Sequence, residues 1–544
     1  MSRCSAVRWL MQRGALADAA RCVGRCSALR WPSRRSAFFR AGHSHGQTCA
    51  IFLFPDARVS LFISYLWGLN GNMLMRTLPY DPQDLSSIFN YSKQLLHHCL
   101  RDFAPEGKDQ RGKGGLGQLV EELFFRYGTN SRPEADFALA HAELKCTPLK
   151  EAASGELLIK ERLVCGMINY AEDWDKTFEE SHFYKKCLTM LIMFYLHQPG
   201  VPRLDLHFLF TVLWQLPAKD LLVIRRDYDT IIGKIRAGQA HTLSEGDTMY
   251  LGACRKGQKG DRLVAQHNSV TGAPRRAWSL KASYMRTLLQ EVKEHHSNGA
   301  YCNASILLAP RNSLFSPGEL SAHSVDELLA ERFAPYLGLT LTELCHRLHV
   351  APSTAKSKYF ILANRIAGLG KTANVNRTEE FEKSGLTMKT IRIRQNGVVK
   401  ESMSFENIDY QEIHDCDEWT ESRLYELFTS RFLFVIFRET GRSLCLPNGN
   451  TEPEYRLGKV ALWTMPPHDL AVAREYWENI RENVLADRIS PRYFWSISDN
   501  RKFHVRPKAS KASDTTANPN GGRAQKYCYW FNAGYIREIV ENEI

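Results

Sequence analysis

The chain has 544 residues, of which 44% are hydrophobic and 11% aromatic, so a mainly disordered protein is excluded and two or three domains are expected. The net charge is +12, but residues 1–80 contribute +9 of it through eleven Arg and two Asp. The remaining chain is only about +3, so overall charge is weak evidence for nucleic-acid binding and local basic clusters must carry that argument.

Residues 1–80 differ in composition from the rest of the chain, because they contain neither Lys nor Glu. One interpretation is an organellar transit peptide, since such peptides are rich in Arg and poor in acidic residues. The interpretation we favour is sequence upstream of the native start, with translation beginning near Met73 or Met75. The apolar stretch around residues 48–69 contains Asp56 and Arg58 near its middle, so a membrane span is not expected.

Four charged residues that follow Lys113 stand in an order that suits metal-dependent phosphodiester chemistry. A glycine-rich turn leads into a segment with one apolar helical face, which carries Glu121. Asp136 follows, and Glu143 and Lys145 are two residues apart, so on a strand they project from the same face. The alternation around them predicts one buried strand face and one face lining a cleft. Carboxylates are the ligands that Mg²⁺ prefers, although a lone E-x-K is more often a solvated strand face or an ion pair.

The letters K-G-G-L-G-Q-L-V-E, followed by D-F and then E-L-K, resemble the MutH branch of the PD-(D/E)xK nucleases. The resemblance implies an α/β fold with a mixed sheet, and catalysis by Glu121, Asp136, Glu143 and Lys145. It also implies that the three carboxylates hold Mg²⁺ while Lys145 orients or activates the attacking water. Lys186 matches a further active-site lysine of that family, and the alternative for it is a solvated helix surface.

The chain also contains an internal repeat. Three motifs recur in the same order and at similar spacing: W-x-[LM]-P-x-x-D-L at Trp214–Leu221 and Trp463–Leu470, E-S at 180–181 and 421–422, and Lys281–Arg286 matching Asn532–Arg537. Conserved order and spacing within one chain are the signature of duplicated structural units. The sequence therefore predicts two copies of one domain.

The second copy lacks most of the charged residues of the first. The aligned pairs are Asp136 with Glu380, Glu143 with Thr387, Lys145 with Lys389, and Lys186 with Leu427. No Asp or Glu lies between Glu343 and Glu379, so no carboxylate replaces Glu121. A hard cation with a single carboxylate ligand binds poorly, and the second copy is predicted to be catalytically inactive.

Tandem MutH-like domains of which only the first keeps its carboxylates are similar to the GATC-cutting type II restriction endonucleases of the Sau-three-A type. The similarity covers about residues 82–544. It implies a catalytic domain at 82–305, a linker at 306–330 and an inactive, allosteric DNA-binding domain at 331–544.

Two basic segments are candidates for base contacts. The second copy contains H-V-R-P-K-A, which resembles the segment with which MutH reads its site in the major groove and makes Arg506 and Lys508 the candidates there. The corresponding loop of the first copy departs from R-P-K, and its candidates are Arg255 and Lys256.

We therefore expect a Mg²⁺-dependent type II restriction endonuclease that cuts both strands of DNA at a short palindrome, by resemblance 5′-GATC-3′ before the guanine. Palindrome symmetry implies a DNA-induced homodimer, and the restriction role implies a cognate DNA methyltransferase. A mismatch-repair nicking enzyme and a non-catalytic DNA-binding regulator are the alternatives. Fourteen scattered cysteines without a C-x-x-C pair suit the reducing cytoplasm of a bacterium, and no membrane partner is expected.

Overall fold

A computed structural model describes the chain at residues 78–104, 115–127, 134–152, 154–257, 262–303, 312–370, 372–445, 449, 451–499, 501–507 and 513–544. The predictions made for the first 77 residues and for Lys113 and Lys508 lie outside this part of the chain. We call the described residues up to 303 the first half and those from 312 onwards the second half.

The first half contains five α-helices and ten strands in its described residues. They are α1 Leu85–Ser92, α2 Leu116–Leu119, β1 Glu143–Glu151, β2 Leu157–Ile159, β3 Leu163–Met167, α3 His182–Cys187, β4 Thr189–Leu196, β5 Phe208–Gln215, α4 Ala218–Arg236, β6 Leu251–Arg255, β7 Val264–Gln266, β8 Ser269–Ala273, β9 Arg276–Leu280, α5 Ala282–His295 and β10 Ala300–Cys302. A π-helical turn, Val120–Phe125, continues α2 directly.

The described part of the second half has its main strands and its long helix in the same order, together with helices that the first half lacks. Its elements are α6 Pro317–Ala322, α7 Val325–Phe333, α8 Leu341–Arg347, α9 Lys358–Ile366, α10 Glu379–Ser384, β11 Thr387–Ile393, β12 Met403–Asn407, α11 Tyr410–Asp415, α12 Arg423–Thr429, β13 Phe432–Cys445, β14 Thr451–Trp463, α13 Pro467–Leu485, β15 Phe503–Arg506, β16 Thr515–Ala517, β17 Arg523–Gln525, β18 Cys528–Phe531 and α14 Ala533–Asn542. The range 306–330, predicted as a linker, thus includes α6 and the start of α7.

Short 3₁₀ turns connect these elements in both halves. They are Lys93–Leu95, Leu100–Phe103, Arg203–Asp205, Ala240–Thr242, Glu245–Asp247, Ala334–Tyr336, Val375–Arg377, Trp419–Glu421 and Ile497–Asp499.

Each half is built on a mixed sheet, as the predicted α/β class requires. In the first half the strand order is β10-β5-β4-β1-β2, with β1 parallel to β4 and β4 antiparallel to β5. The second half has β11-β13-β14, with the same parallel and antiparallel pairings. Small antiparallel sheets, β3-β9-β6 and β12-β18-β15, accompany them.

The sheet register confirms that the two halves are copies. In the first half, Glu143 pairs with Met190, which pairs with Trp214. In the second half the same row is Thr387, Phe432 and Trp463. Because a register slip of one residue would move every side chain to the other face, this agreement fixes Thr387 as the counterpart of Glu143.

The repeated motif also makes the same hydrogen bond in each half. Asp220, from the first W-x-L-P-x-x-D-L segment, accepts a bond of 2.7 Å from the Tyr284 hydroxyl. Asp469 accepts one of 2.7 Å from Tyr535. These bonds tie the start of the long helix, α4 or α13, to the helix that follows the small sheet, α5 or α14.

The two halves share packing as well as ancestry. One hydrophobic cluster runs from the first-half sheet and α4 into α7, α9 and β11 of the second half. Helix α4 contributes an amphipathic face of buried residues: Val223, Ile224, Tyr228, Ile231, Ile232 and Ile235. Among the described residues, no helix has both the length and the apolar character needed to cross a membrane.

Candidate active site

Glu121 lies on the π-helical turn Val120–Phe125, which packs its apolar side chains against the sheet. Phe125 stacks edge-on against Phe137, and its carbonyl accepts a hydrogen bond of 2.9 Å from the Tyr80 hydroxyl. The turn ends at Arg126, which adopts a left-handed conformation with φ 61°. Turns of the π type inside helices are found frequently at functional sites. This one faces Glu121 towards the start of β1.

Asp136 is fixed by the backbone of β1, which follows a tight loop closed by a bridge between Phe137 and Ala142. The Leu144 backbone N–H donates to Asp136 Oδ2 at 3.0 Å. In return, the Asp136 N–H donates to Glu143 Oε2 at 3.2 Å. The two carboxylates predicted to act together are therefore adjacent, and their positions depend on backbone groups rather than on flexible side chains.

Glu143 lies between two lysines. Lys145 Nζ is 2.7 Å from Glu143 Oε1, and Lys186 Nζ is 3.2 Å from the same oxygen. Lys186 is carried by α3, whose first turn is capped by the Ser181 hydroxyl. The structure thus brings together all five residues that the sequence predicts for this site.

Burial and mutual repulsion make the acids of this site hard to ionise. Burial raises the pKa of Glu121 to about 7, with further increases from the nearby charges of Asp136 and Glu143. Burial and Glu143 raise the pKa of Asp136 to about 6. Against its own burial, the Glu143 carboxylate holds the pKa of the Lys145 ammonium above its usual range. Three carboxylates that repel one another at close range are suitable ligands for a hard divalent cation.

One part of the sequence interpretation needs correction. The alternation predicted that the face of β1 carrying Glu143 and Thr147 lines an open cleft, yet these residues are only 2% and 1% exposed. The reason is that hydrophobic clusters pack against both faces of the central sheet: Leu144 lies in one cluster, and Leu149, on the same face as Glu143, lies in the other. Lys145 reaches solvent, with 19% of its side chain exposed.

In the second half, the same positions hold a different set of side chains, which we call the degenerate site: Asn364, Glu380, Thr387, Lys389 and Leu427. The Asn364 side chain accepts the Val375 N–H at 2.8 Å, a purely structural bond. Sequence reasoning missed Asn364, although the spacing from Lys356 to Asn364 repeats that from Lys113 to Glu121. Lys389 donates to the Ser404 carbonyl at 2.7 Å.

Glu380, the remaining carboxylate of the degenerate site, is fully buried and lies at the junction between the halves. It accepts the backbone N–H groups of Leu314 and Phe315, at 2.9 and 3.3 Å. It also accepts Lys219 Nζ of the first half at 2.7 Å, and the Ser313 hydroxyl at 2.7 Å. The bond to Lys219 crosses the junction between the halves, and the other three bonds hold Glu380 within the second half.

A second lysine crosses the junction in the opposite direction. Lys383 on α10 donates to both carboxylate oxygens of Asp220, each at 2.8 Å, and the two side chains are 4% and 1% exposed. Nearby, Arg286 of the first half makes two bonds to Glu426 of the second, at 2.8 and 2.5 Å. Although burial alone would raise it, Arg286 and Arg423 hold the pKa of Glu426 well below its usual range.

Beside this junction lies a cavity of about 550 Å³ whose lining comes from both halves. Thr387 and Leu427 line it from the degenerate site, and Arg286 and Gln290 line it from α5. The second half therefore turns its degenerate site towards the first half.

The sequence profile of the family described as "DNA mismatch repair enzyme MutH" matches the chain twice, at residues 125–227 and 369–475. Each match covers the central sheet and the start of the long helix of one half. Two regions of the chain are therefore similar to MutH. These two MutH domains, named for that similarity, correspond to the two halves that share one sheet register.

Comparison with individual proteins agrees with this assignment. The chain is 28% identical over 474 residues to the type II restriction enzyme Sau3AI of Staphylococcus aureus. The aligned region covers 82% of this chain and 92% of that protein. It is 28% identical to the DNA mismatch repair protein MutH of Shewanella amazonensis over 185 residues, 32% of this chain and 79% of that protein. The MutH protein of Citrobacter koseri is 24% identical over 225 residues, 40% of this chain and 95% of that protein.

Two of the candidate base-contact residues, Arg506 and Arg255, lie on the small sheets of the two MutH domains, and Lys256 directly follows β6. Arg506 ends β15 and is exposed, and Arg255 ends β6 and is exposed. Leu251 pairs with Leu280, and Phe503 pairs with Phe531, so these rows correspond. The counterpart of Arg506 in the first MutH domain is then Cys254, which is buried, and Arg255 lies one position further along.

One other group of three metal-ligand atoms occurs among the described residues, formed by His468, Asp469 and Glu543. Asp469 is already ion-paired there with Lys502 Nζ at 2.7 Å, and it accepts a hydrogen bond from the Tyr535 hydroxyl. The indole N–H of Trp463 donates to Glu543 at 2.6 Å. This group is a structural network of the second MutH domain.

Proposed function

We propose that this protein is a Mg²⁺-dependent type II restriction endonuclease, with catalysis in a first domain at 82–305 and DNA binding in a second domain at 331–544. The observation that carries the proposal is the five-residue cluster around Glu143, which one MutH domain has and the other has lost. Charged residues needed only for folding would be kept in both copies. The similarity to a type II restriction enzyme along most of both chains supports the same activity.

Asp136 and Glu143 are the residues that would hold the metal, with Glu121 contributing from the helical side. When bound, Mg²⁺ neutralises charge on a scissile phosphate and lowers the pKa of water near it. The bonds between Asp136, Glu143 and the β1 backbone keep both carboxylates in place before substrate arrives. Little reorganisation is then needed on binding DNA.

The two lysines have distinct parts in this proposal. The Lys145 ammonium stays protonated beside Glu143, so we assign it to orienting the attacking water and stabilising negative charge on the phosphate, and not to removing a proton. Lys186 approaches Glu143 from α3, on another element, and we assign it to the phosphate itself.

The substrate we propose is double-stranded DNA at the palindrome 5′-GATC-3′, cut before the guanine. One catalytic domain per chain cuts one strand, so we infer that two chains meet on the two-fold symmetric site. The second domain would bind a further copy of the site and act allosterically on the first. A methyltransferase that protects the host site is the genetic partner of this role.

The test is incubation of a plasmid carrying GATC sites with the full chain, in Mg²⁺ and in EDTA. We expect linear fragments in Mg²⁺ alone, and a loss of at least about 100-fold in rate for Glu143→Gln. Thr387→Ala, at the matched position of the second domain, is expected to cut like the parent. Nicked circles without linear product would indicate a nicking enzyme, and a retarded but intact plasmid would indicate a regulator.

A further inference from the structure

Arg506 is held against a tryptophan, unlike Arg255 and Lys256, the other described candidates for base contacts. Its guanidinium carbon lies 4.1 Å from the centre of the Trp530 ring. The indole N–H of Trp530 donates to the Arg506 carbonyl at 3.1 Å. The indole therefore restrains both the backbone and the side chain of Arg506, at the end of β15 where the strand meets solvent.

The tryptophan itself rests on a buried histidine. His504 lies directly opposite Trp530 in the β15–β18 pairing, and the two rings are nearly parallel, 21° apart with centres 5.8 Å apart. His504 is fully buried, and its carbonyl accepts the Tyr476 hydroxyl at 2.7 Å. Burial and the positive charge of Arg506 lower the pKa of His504 to about 4, so it is neutral at pH 7 and does not repel Arg506. His504, Trp530 and Arg506 form a layered unit on one face of the strands.

The first MutH domain has no such unit. The strand registers place Gly252 at the position of His504, Ser279 at that of Trp530 and Cys254 at that of Arg506. A Cβ on Gly252 would lie 3.0 Å from a carboxylate oxygen of Glu245, which is ion-paired with Arg162. A salt bridge thus fills the space that the rings occupy in the second domain.

The charge of Arg506 is not neutralised within the part of the chain that the structure describes: no carboxylate there lies within ion-pair distance of it. An arginine that bonds guanine O6 and N7 must present its donors in a fixed plane, and each torsion left free reduces that preference. Stacking on Trp530 restricts those torsions and leaves the donor edges open to a ligand.

We propose that Trp530 is a positioning residue that orients Arg506 for recognition of a guanine in the DNA bound by the second MutH domain. This rests on the proposed function, because it takes DNA as the ligand of that domain. It predicts that the ring of Trp530 acts on DNA only through Arg506, and that the two domains read DNA with different groups.

The experiment measures the affinity of the full chain, in EDTA to prevent cleavage, for a duplex containing GATC and for a duplex with the site scrambled. The variants are Trp530→Leu, Trp530→Phe, Arg506→Ala and the double variant Arg506→Ala/Trp530→Leu. Arg474→Ala removes an equal charge from an exposed arginine that has its own partner, Glu478 at 2.7 Å, and serves as the matched control. Thermal unfolding of each variant checks the fold.

We expect Trp530→Leu to weaken GATC binding about 10-fold and scrambled binding less than about two-fold, since an Arg–Trp stack contributes on the order of this factor. Trp530→Phe keeps an aromatic face and should retain most of the affinity. In the Arg506→Ala background, Trp530→Leu should cause no further loss. The Arg474→Ala control should leave the ratio of the two affinities unchanged.

The outcomes separate this inference from the function on which it rests. If Arg506→Ala binds the GATC duplex as well as the parent, the assignment of the second domain as a reader of DNA fails. If Arg506→Ala weakens binding but Trp530→Leu does not, or if the two losses add, the positioning role is overturned while the proposed function stands.

Discussion

Glu143 is almost completely buried, and the two lysines beside it come from different elements, β1 and α3. A buried carboxylate without partners is strongly destabilising, while one between two ammonium groups keeps its charge. Each lysine contributes to holding that charge. Removing one should therefore affect the chemistry of the site more than the stability of the fold, because the other remains within 3.2 Å.

Lys186→Ala is expected to reduce the cleavage rate about 10- to 100-fold, since one charge that stabilises the phosphate is lost. Lys185→Ala provides the matched control, because Lys185 is the exposed neighbour on the same helix and should change the rate less than about two-fold. Initial rates on a single-site plasmid at saturating Mg²⁺ measure both. Equal losses in the two variants would indicate a general effect of positive charge on DNA binding.

Lys281 offers a test by pH that lies outside the candidate site. It is nearly buried, and it donates to the backbone carbonyls of Glu245, at 2.8 Å, and Thr248. Its counterpart in the second half is Asn532, which makes a similar bond to the Arg501 carbonyl with a neutral amide. The first half thus has a charged ammonium group at a position where the second half has a neutral amide.

Burial lowers the pKa of Lys281 from 10.5 to about 8, and the charged groups facing it are Glu245, Asp227, Arg431 and Arg162. Between pH 8 and 10.5 the unfolded chain binds this proton more tightly than the folded protein does. The contribution of Lys281 to stability therefore rises with pH in this window, by up to about 3 kcal/mol. Urea unfolding at pH 7.5, 8.5 and 9.5 should show that the free energy of unfolding of the parent rises with pH relative to that of Lys281→Met. A difference between the two free energies that stays constant with pH would contradict the assignment.

At the scale of elements, α10 belongs both to the degenerate site and to the junction between the halves. It comes just before β11, in the place where the first half carries Asp136, and it supplies Glu379, Glu380 and Lys383 to the junction. Helix α4 meets it end-on, with Lys219 and Asp220 in its first turn. The opposite charges alternate across the contact, so each lysine faces acids of the other half.

Lys383→Met should destabilise the protein by roughly 3–5 kcal/mol, because it leaves Asp220 buried with only the Tyr284 hydroxyl as partner. Lys502→Met is the matched control, since Lys502 pairs with Asp469, the counterpart of Asp220. Lys502 is 28% exposed, and Asp469 also has His468 as a neighbour. Loss of Lys502 should cost roughly 1 kcal/mol. Urea unfolding measures both, and the double variant Lys383→Met/Asp220→Asn should recover part of the loss.

The sequence predicted the parts of this architecture that local patterns encode. Trp214 and Trp463 occupy equivalent rows of the two sheets. The spacing of the repeated motif predicts this, because the motif is the end of a strand followed by the start of a helix. The Lys383–Asp220 pair could not be predicted in this way, since 163 residues separate its partners and a buried ion pair leaves no periodic signal. Burial of Glu143 was missed for a related reason, because alternation cannot show that hydrophobic clusters cover both faces of the sheet.

At the scale of the whole molecule, the two MutH domains differ in the groups that we propose for contact with DNA. The first has the carboxylate cluster, and a salt bridge covers the strand face where the second has its tryptophan. The second has an exposed, stacked arginine and a degenerate site that faces the first half. We therefore infer that chemistry and part of the recognition are divided between the two copies.

A short GATC duplex added in trans should stimulate cleavage of a single-site plasmid by roughly 10-fold, a typical coupling between two binding sites. Arg506→Ala should reduce the stimulation factor towards one, because the second domain then recognises the added duplex poorly. Stimulation by a scrambled duplex to the same extent would show that the effect does not depend on site recognition.

The bonds of Glu380 also bear on how this chain can evolve. Restoring a metal site in the second copy would require Glu380 to release Lys219, the Ser313 hydroxyl and the amides of Leu314 and Phe315. Lys219 would keep Glu379 and the Ser313 hydroxyl would keep the Phe315 carbonyl, but the two buried amides would lose this acceptor. We infer that no single substitution at Thr387 recovers a second catalytic centre, because these buried bonds would have to be replaced at the same time.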